Sequence, residues 1–491
     1  MLPYKTLIEI QKNSNTPIYL QIANSFIINI RKGIIKPGTK LPGTRVLSKE
    51  FSVHRKTVIC AFDELTAQGW IISIPKKGAV VSTSLPEVLP SSFKQTNILS
   101  TDYPITTGYK LKENKLLGNV IKNNSNLIEL IDGFPDVRLA PIEILGRTYR
   151  GILQRPGTKK LLNYADVEGN YYLREVLSNY MNQSRGLKTR AENIFITRGS
   201  QMSIYLLSHL LLNKGDNIIV GETNYFVANM TFTYLHANLI TTTVDEFGIC
   251  VDEIETICLK IKVKALYITS HHHYPTTVTL SSERRIKLLS LAERYKFAII
   301  EDDYDYDFHY SMSPILPIAS ADTNGMTAYV GSFNKSIAPA FRVGYIVGPQ
   351  NLIKELAKLR RIIDRQGDLI LEQVFAEMIN EGEIKRHIKK TQRIYHERRD
   401  YMCDLLTQNL GKEIKFKIPD GGLAIWAQFE KSIDLVSITE KALKKGLSIS
   451  NGSIHNPINK NLNSTRLGFA SLTFQEAEKA VQILSSIIKN K

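Results

Sequence analysis

From Ile18 to Lys32 apolar residues recur at helical spacing, with Leu20, Ile22, Phe26, Ile27 and Ile30 on one stripe and Gly33 after the last basic pair. The pattern predicts an amphipathic helix stopped by glycine. Pro37, Gly38 and Pro42-Gly43 then break the chain, and Thr44 is placed to cap a short helix through Leu47 to Phe51. After a turn at Ser52-Val53, a longer helix is expected, with His54, Arg55, Lys56 and Thr57 in its first turn and Val58, Phe62 and Leu65 facing inward. Two apolar runs within 69–82 flank Pro75-Lys76-Lys77-Gly78 and predict a hairpin with Lys76 and Lys77 at its tip. Residues 83–126, rich in Ser, Pro, Asn, Thr and Lys and without sustained periodicity, read as an extended tether. Beyond Leu127, short apolar runs alternate with helical patterns. Asn217-Ile-Ile-Val, Ala265-Leu-Tyr-Ile, Phe297-Ala-Ile-Ile and Ala328-Tyr-Val are the predicted strands, giving an α/β layout with a mostly parallel sheet. The expected organisation is therefore a small domain at 1–82, a linker at 83–126 and a large domain at 127–491.

A chain of 491 residues, 43% apolar, exceeds what one hydrophobic core supports, in keeping with this division. No apolar stretch approaches the roughly 20 residues that span a bilayer, and there is no signal-peptide block, so a cytoplasmic protein without a membrane partner is expected. The four cysteines are scattered, with no Cys-x-x-Cys pair, which argues against a disulfide framework or a thiolate metal site. The net charge of +16 is concentrated: residues 1–80 hold 12 Lys or Arg against 4 Asp or Glu. A basic excess in a small terminal segment suits a polyanion, because neutralised phosphates release their condensed counterions.

Basic and hydroxyl side chains at the start of a second helix, followed by a basic hairpin, form the outline of a winged helix-turn-helix that reads a major groove. The run Pro-Gly-Thr-Lys-Leu-Pro, then Arg45, then Val-x-Arg-x-Thr-Val, then a glycine in the wing resembles the GntR family of bacterial DNA-binding domains over about residues 16–82. The resemblance places Arg45, Arg55, Thr57 and Gly78 against double-stranded DNA; charge adds Lys56, and the hairpin tip adds Lys76 and Lys77. His54 stands where that family has a small hydroxyl residue, and a histidine is expected to cap the recognition helix poorly.

In the large domain, Gly331-Ser-Phe-Asn-Lys-Ser-Ile-Ala-Pro-Ala-Phe-Arg342 couples Lys335, whose amine can condense with an aldehyde cofactor, to Ser332 and Arg342, which can hold that cofactor's phosphate. This reads as a pocket for pyridoxal 5'-phosphate (PLP). Gly199, Ser200 and Gln201 precede a helix expected to begin near Ser203, and their N–H groups suit a phosphate. At the end of the strand from Phe297, Asp302 and Tyr304 share one face, and Asp303 and Asp305 share the other. An acid would keep a pyridine nitrogen protonated and a tyrosine would bond a phenolate oxygen, but alternation alone leaves both pairs open. His271, His272 and His273 alternate in direction on a strand, which disfavours one shared metal site.

Tyr164-x4-Gly169-x3-Leu173-Arg174, Arg185-Gly186, Gly199-Ser-Gln, Tyr274-Pro-Thr, Glu301-Asp-Asp-Tyr, Ser332-Phe-x-Lys and Arg466-Leu-Gly-Phe follow the order of class I aminotransferases of PLP fold type I. That resemblance implies a large domain with a smaller α+β subdomain. It selects Asp302, 33 residues before Lys335, for the pyridine nitrogen. It also stacks Tyr225 on the cofactor, puts Tyr274 beside it, lines the pocket with His272 and His273, and gives Arg466 the carboxylate of an amino compound. The chain departs from the family at Tyr274-Pro275-Thr276-Thr277, where the enzymes read Asn-Pro-x-Gly, which makes transamination less assured. Val227 supplies no second carboxylate-binding arginine. A GntR-like head, a tether and an aminotransferase-like body together resemble the MocR branch of regulators. The resemblance implies a PLP-dependent transcription factor, answering to an amino compound or to PLP itself, assembled as a head-to-tail homodimer. The alternative is a working aminotransferase with an accessory DNA-binding domain.

Overall fold

Among the described residues, a short helical turn at Tyr4–Leu7, three longer helices and a hairpin build the N-terminal unit: α1 (Ile18–Arg31), α2 (Thr44–Glu50), α3 (Arg55–Ala67), β1 (Ile71–Ile74) and β2 (Gly78–Val81). The computed structural model describes residues 2–11, 14, 16–74, 78–85, 105–111, 127–310, 315–457 and 460–489. Its internal contacts divide the chain into Met1–Leu111 and Lys112–Lys491. In the first unit Ile22, Phe26 and Ile30 of α1 meet Leu47 of α2 and Val58, Phe62 and Leu65 of α3, all buried, with Trp70 closing the core. Gly33, at φ 72, ends the first helix as its position predicts. Strands β1 and β2 pair antiparallel with Ile74 opposite Gly78; Lys76 and Lys77 lie outside the described residues.

Two capping expectations need correction. Thr44 is the first helical residue of α2, and Gly43 is its N-cap without a side-chain bond. His54 does cap α3: its Nδ1 accepts from the Lys56 N–H at 3.2 Å, since an unprotonated imidazole nitrogen offers the lone pair that a hydroxyl would have offered.

The second unit is organised by a seven-stranded sheet. Its strands are β3 (Ile194–Thr197), β4 (Asn217–Gly221), β5 (Asn238–Thr242), β6 (Ala265–Ile268), β7 (Ala298–Asp303), β8 (Thr327–Ser332) and β9 (Gly344–Val347). They lie in the order β3-β9-β8-β7-β6-β4-β5, and β9 alone runs antiparallel to its neighbours. Helices cover both faces, as near-continuous apolar strands require. Ile196, Tyr329 and Tyr345 pack with helices α4 (Tyr171–Arg185) and α7 (Leu369–Asn380). On the other face Phe195, Val220, Tyr267 and Val330 meet α5 (Ser200–Leu211) and α6 (Phe226–Tyr234). A smaller α+β layer joins antiparallel β10 (Ile414–Phe416), β11 (Ala424–Phe429) and β12 (Ser464–Gly468) to the long α8 (Glu383–Leu410) and to α9 (Phe474–Lys489) around Met402, Leu406, Ile425, Leu467 and Leu484. Among the described residues no helix is long and apolar enough to cross a membrane.

Candidate cofactor pocket and nucleic-acid interface

At the carboxyl ends of β7 and β8, where ligands sit in sheets of this kind, the second unit holds a cavity of about 180 Å3. Lys335, Asp302 and Tyr304 line it together with Tyr225 and Tyr274. Ser200, Gln201, Ser332 and Arg342 line it too. Asp302 projects inward from β7, while Asp303 turns to the opposite side, accepting from Tyr329 Oη at 2.8 Å and standing 3.1 Å from His271 Nδ1. Strand alternation thus separates the two candidate acids, and only one faces the pocket.

Burial shapes the chemistry of that acid. Asp302 Oδ2 accepts from Tyr267 Oη at 2.7 Å, and Oδ1 is buried with no partner. Loss of solvent pushes the carboxyl up to about 7, against the pull of the Tyr267 bond. An orphaned carboxylate oxygen inside a pocket is the complement of a protonated ring nitrogen. Lys335, also lining the cavity, donates through Nζ to the Gly133 carbonyl at 2.9 Å, and burial pulls its amine below the ordinary lysine range. A lowered amine is more readily neutral, as condensation with an aldehyde requires.

The phosphate end is built by Gly199 and Arg342. Gly199, at φ 90, is the N-cap of the twelve-residue α5, which starts at Ser200 and not near Ser203 as expected. A Cβ there would lie 2.8 Å from both Arg342 Nη2 and Asn334 Nδ2, so only glycine lets the guanidinium reach the helix start. Arg342 Nη2 donates to the Arg198 carbonyl at 2.9 Å. The first free N–H groups of α5, the Ser200 and Ser332 hydroxyls and Arg342 form a cradle suited to a dianion. Gln201 Nε2 donates to Tyr225 Oη at 3.1 Å and orients that ring, which meets Tyr274 edge-on at 5.2 Å between centroids.

Several expected members stand elsewhere. Neither His272 nor His273 is among the cavity's lining residues. His272 Nδ1 is bonded to Asp305 at 2.8 Å, and its ring lies against Gly421. His273 bonds Thr276 Oγ1 at 3.0 Å, and burial pulls its ring down to about 3. Tyr304 lines the pocket, but its hydroxyl donates to the His272 carbonyl at 2.8 Å, so it is already engaged. Among the described residues no cluster of His, Cys, Asp and Glu is placed to hold a metal. Arg466 is 2% exposed and lies behind the wall: its guanidinium covers the Tyr274 ring at 4.7 Å and donates to the Pro275 carbonyl at 3.0 Å. Thr277 holds φ 64, the left-handed conformation that glycine adopts freely. Asp132, Phe134, Thr269, Asn334 and Pro339 complete the lining and were not anticipated. The Asp132-Gly133 dipeptide signals a turn, yet nothing local in the sequence says that the turn reaches the pocket.

In the first unit, Arg45, Arg55 and Lys56 are exposed, and Thr57 is half-buried at the start of α3. Arg55 Nε reaches Thr44 Oγ1 at 3.4 Å, linking the starts of α2 and α3. Gly78, at φ 93, opens β2 with no atom within 4 Å of where a Cβ would sit.

The profile of "Aminotransferase class I and II" matches residues 144–484, and that of "Bacterial regulatory proteins, gntR family" matches residues 18–81. The chain belongs to the class I and II aminotransferase family and carries a GntR head, the pairing of MocR-type regulators. Over 483 residues, 98% of both chains, it is 28% identical to the uncharacterized HTH-type transcriptional regulator YdfD of Bacillus subtilis. It is 24% identical to the probable rhizopine catabolism regulatory protein MocR of Rhizobium meliloti, over 90% of this chain and 88% of the relative. Among solved structures, a kynurenine aminotransferase from Pyrococcus horikoshii superposes with a TM-score of 0.70 at 28% identity, covering 74% of this chain and 91% of that one. This MocR-type chain is thus a GntR-family regulator fused to an aminotransferase-like domain. Its body implies PLP as cofactor and its head implies binding to DNA. The unpartnered Asp302 oxygen, the Gly199 cradle and the buried Lys335 amine fit that cofactor.

Proposed function

We propose that the protein regulates transcription by coupling the state of PLP in its body to the engagement of double-stranded DNA by its head. The observation that carries this reading is the convergence of Lys335, Asp302 and the Ser200-Gln201 helix start on one cavity, in a chain that also bears a basic recognition helix. PLP, when bound, supplies an aldehyde carbon that condenses with an amine. Lys335 holds it, Asp302 keeps its ring nitrogen protonated, and Ser200, Ser332 and Arg342 bind its phosphate. Tyr225 packs on the ring and Tyr274 flanks it. The effector is an amino compound that takes the place of Lys335, or PLP itself. Arg45, Arg55, Lys56 and Thr57 meet the DNA, with Gly78 and the hairpin tip at Lys76 and Lys77 beside them. The protein works in the cytoplasm as a head-to-tail homodimer.

A ligand shifts such an equilibrium only through unequal affinity for its two states. Lys335→Ala should therefore retain selective DNA binding and lose the change in affinity that amines produce in the PLP-loaded protein, measured by fluorescence anisotropy on labelled operator DNA. An amine response of unchanged size in that variant would sink the mechanism.

A further inference from the structure

The wall facing Lys335 displays a carboxylate where a carboxylate-reading site would display a guanidinium. Asp132 lines the cavity, and Arg466 does not. Asp132 Oδ1 stands 3.6 Å from Arg466 Nε, and each of these atoms is buried with no hydrogen-bond partner. Arg466 Nη1 donates to the Pro275 carbonyl, and its flat face lies over the Tyr274 ring. Burial works against the charge on this arginine, and Tyr304, Asp132 and Tyr274 more than offset it. An incoming carboxylate therefore meets an arginine that already has an anion beside it.

Resting on the reading of the pocket as a PLP site open to amines, we propose that Asp132 sets effector class. It competes with an amino acid's α-carboxylate for Arg466, so the site favours amines that lack that carboxylate. An α-amino acid must displace Asp132 from Arg466. A decarboxylated amine leaves the pair intact. The turn that carries Asp132 is held from two sides, by Arg466 at Asp132 and by Lys335 Nζ at the Gly133 carbonyl, so both groups that handle the ligand bear on one dipeptide.

The test uses the full-length PLP-loaded protein and three matched pairs: L-alanine and ethylamine, L-phenylalanine and 2-phenylethylamine, L-lysine and cadaverine. Binding is read from the visible absorption band of the bound cofactor. Asp132→Asn is the variant of choice, because residue 132 sits at φ 55, where asparagine is tolerated, and the amide removes the charge at constant shape. The ratio of half-saturating concentrations, amino acid over amine, should fall roughly 10- to 100-fold in Asp132→Asn, as expected for freeing one charge-assisted partner. In an Arg466→Gln background the same change should leave that ratio within about twofold, since coupling requires both partners. An equal shift for both members of each pair, or an undiminished effect without Arg466, overturns the role given to Asp132 and leaves the PLP reading standing. A band that no amine moves in either protein overturns the reading on which this inference rests, and the inference with it.

Discussion

Asp302 carries a specific electrostatic burden. Burial lifts its carboxyl to about 7 from an ordinary value near 3.8. An acid raised in this way keeps its proton in the fold after the unfolded chain has lost it. Its contribution to stability is therefore intact below about pH 4 and is lost as pH climbs to about 7. Asp302→Asn should flatten that part of the curve in the PLP-free protein, raising Tm at pH 8 and leaving it unchanged at pH 4. The same variant should bind PLP roughly 10- to 150-fold more weakly, the value of one charge-assisted hydrogen bond of about 1.5–3 kcal/mol. Equilibrium dialysis against PLP checks the second outcome, and equal affinities would remove Asp302 from the cofactor's ring. On the head, Arg55→Ala should weaken selective DNA binding by about 1–3 kcal/mol if the side chain reaches a base edge, measured as the difference between operator and scrambled duplexes.

Element boundaries follow the physics of their ends. The α3 helix begins at Arg55 and is capped by His54, whose Nδ1 takes up one of the free N–H groups. His54→Ala should lower the stability of that first turn by about 0.5–1 kcal/mol, the usual value of an N-cap. It would appear as faster amide hydrogen exchange at Lys56 and Thr57, and His54→Ser should restore protection. Most elements were legible in the sequence because their signals are local. The stripe Ile22, Phe26 and Ile30, the stop at Gly33 and the strand from Asn217 are each decided within a few residues. What was not legible is long-range. Helix α5 starts three residues earlier than its pattern suggests because Gly199 turns the chain at φ 90 to admit Arg342, 143 residues away in sequence. His272 read as a pocket residue from the family resemblance, but its ring is claimed by Asp305. Asp132 escaped notice because its partner, Arg466, lies at the far end of the chain and the two meet only in the folded body.

At the scale of the whole molecule, the chain joins a reader of polyanions to a pocket built for a small aldehyde cofactor. Half of the basic excess sits in the reader: the first 80 positions hold 12 Lys or Arg against 4 acidic residues, +8 of the chain's +16. That charge alone would give nonspecific affinity with a steep salt dependence, so selectivity is the property that separates a regulator from a basic enzyme. The first described segment of the body leads from residue 127 through Ile128–Glu129 to the turn at Asp132 and Gly133, on the pocket wall. Most of residues 83–126, expected to be a tether, lie outside the described residues, and the chain that follows them enters the segment that Lys335 and Arg466 hold. The most direct test of the central claim is a nuclease footprint over the DNA upstream of the gene, with PLP-loaded protein, in the presence and absence of a mixed amine pool. The account predicts protection of paired half-sites that changes when the pool is added; protection without sequence selectivity, or none in either condition, would contradict it.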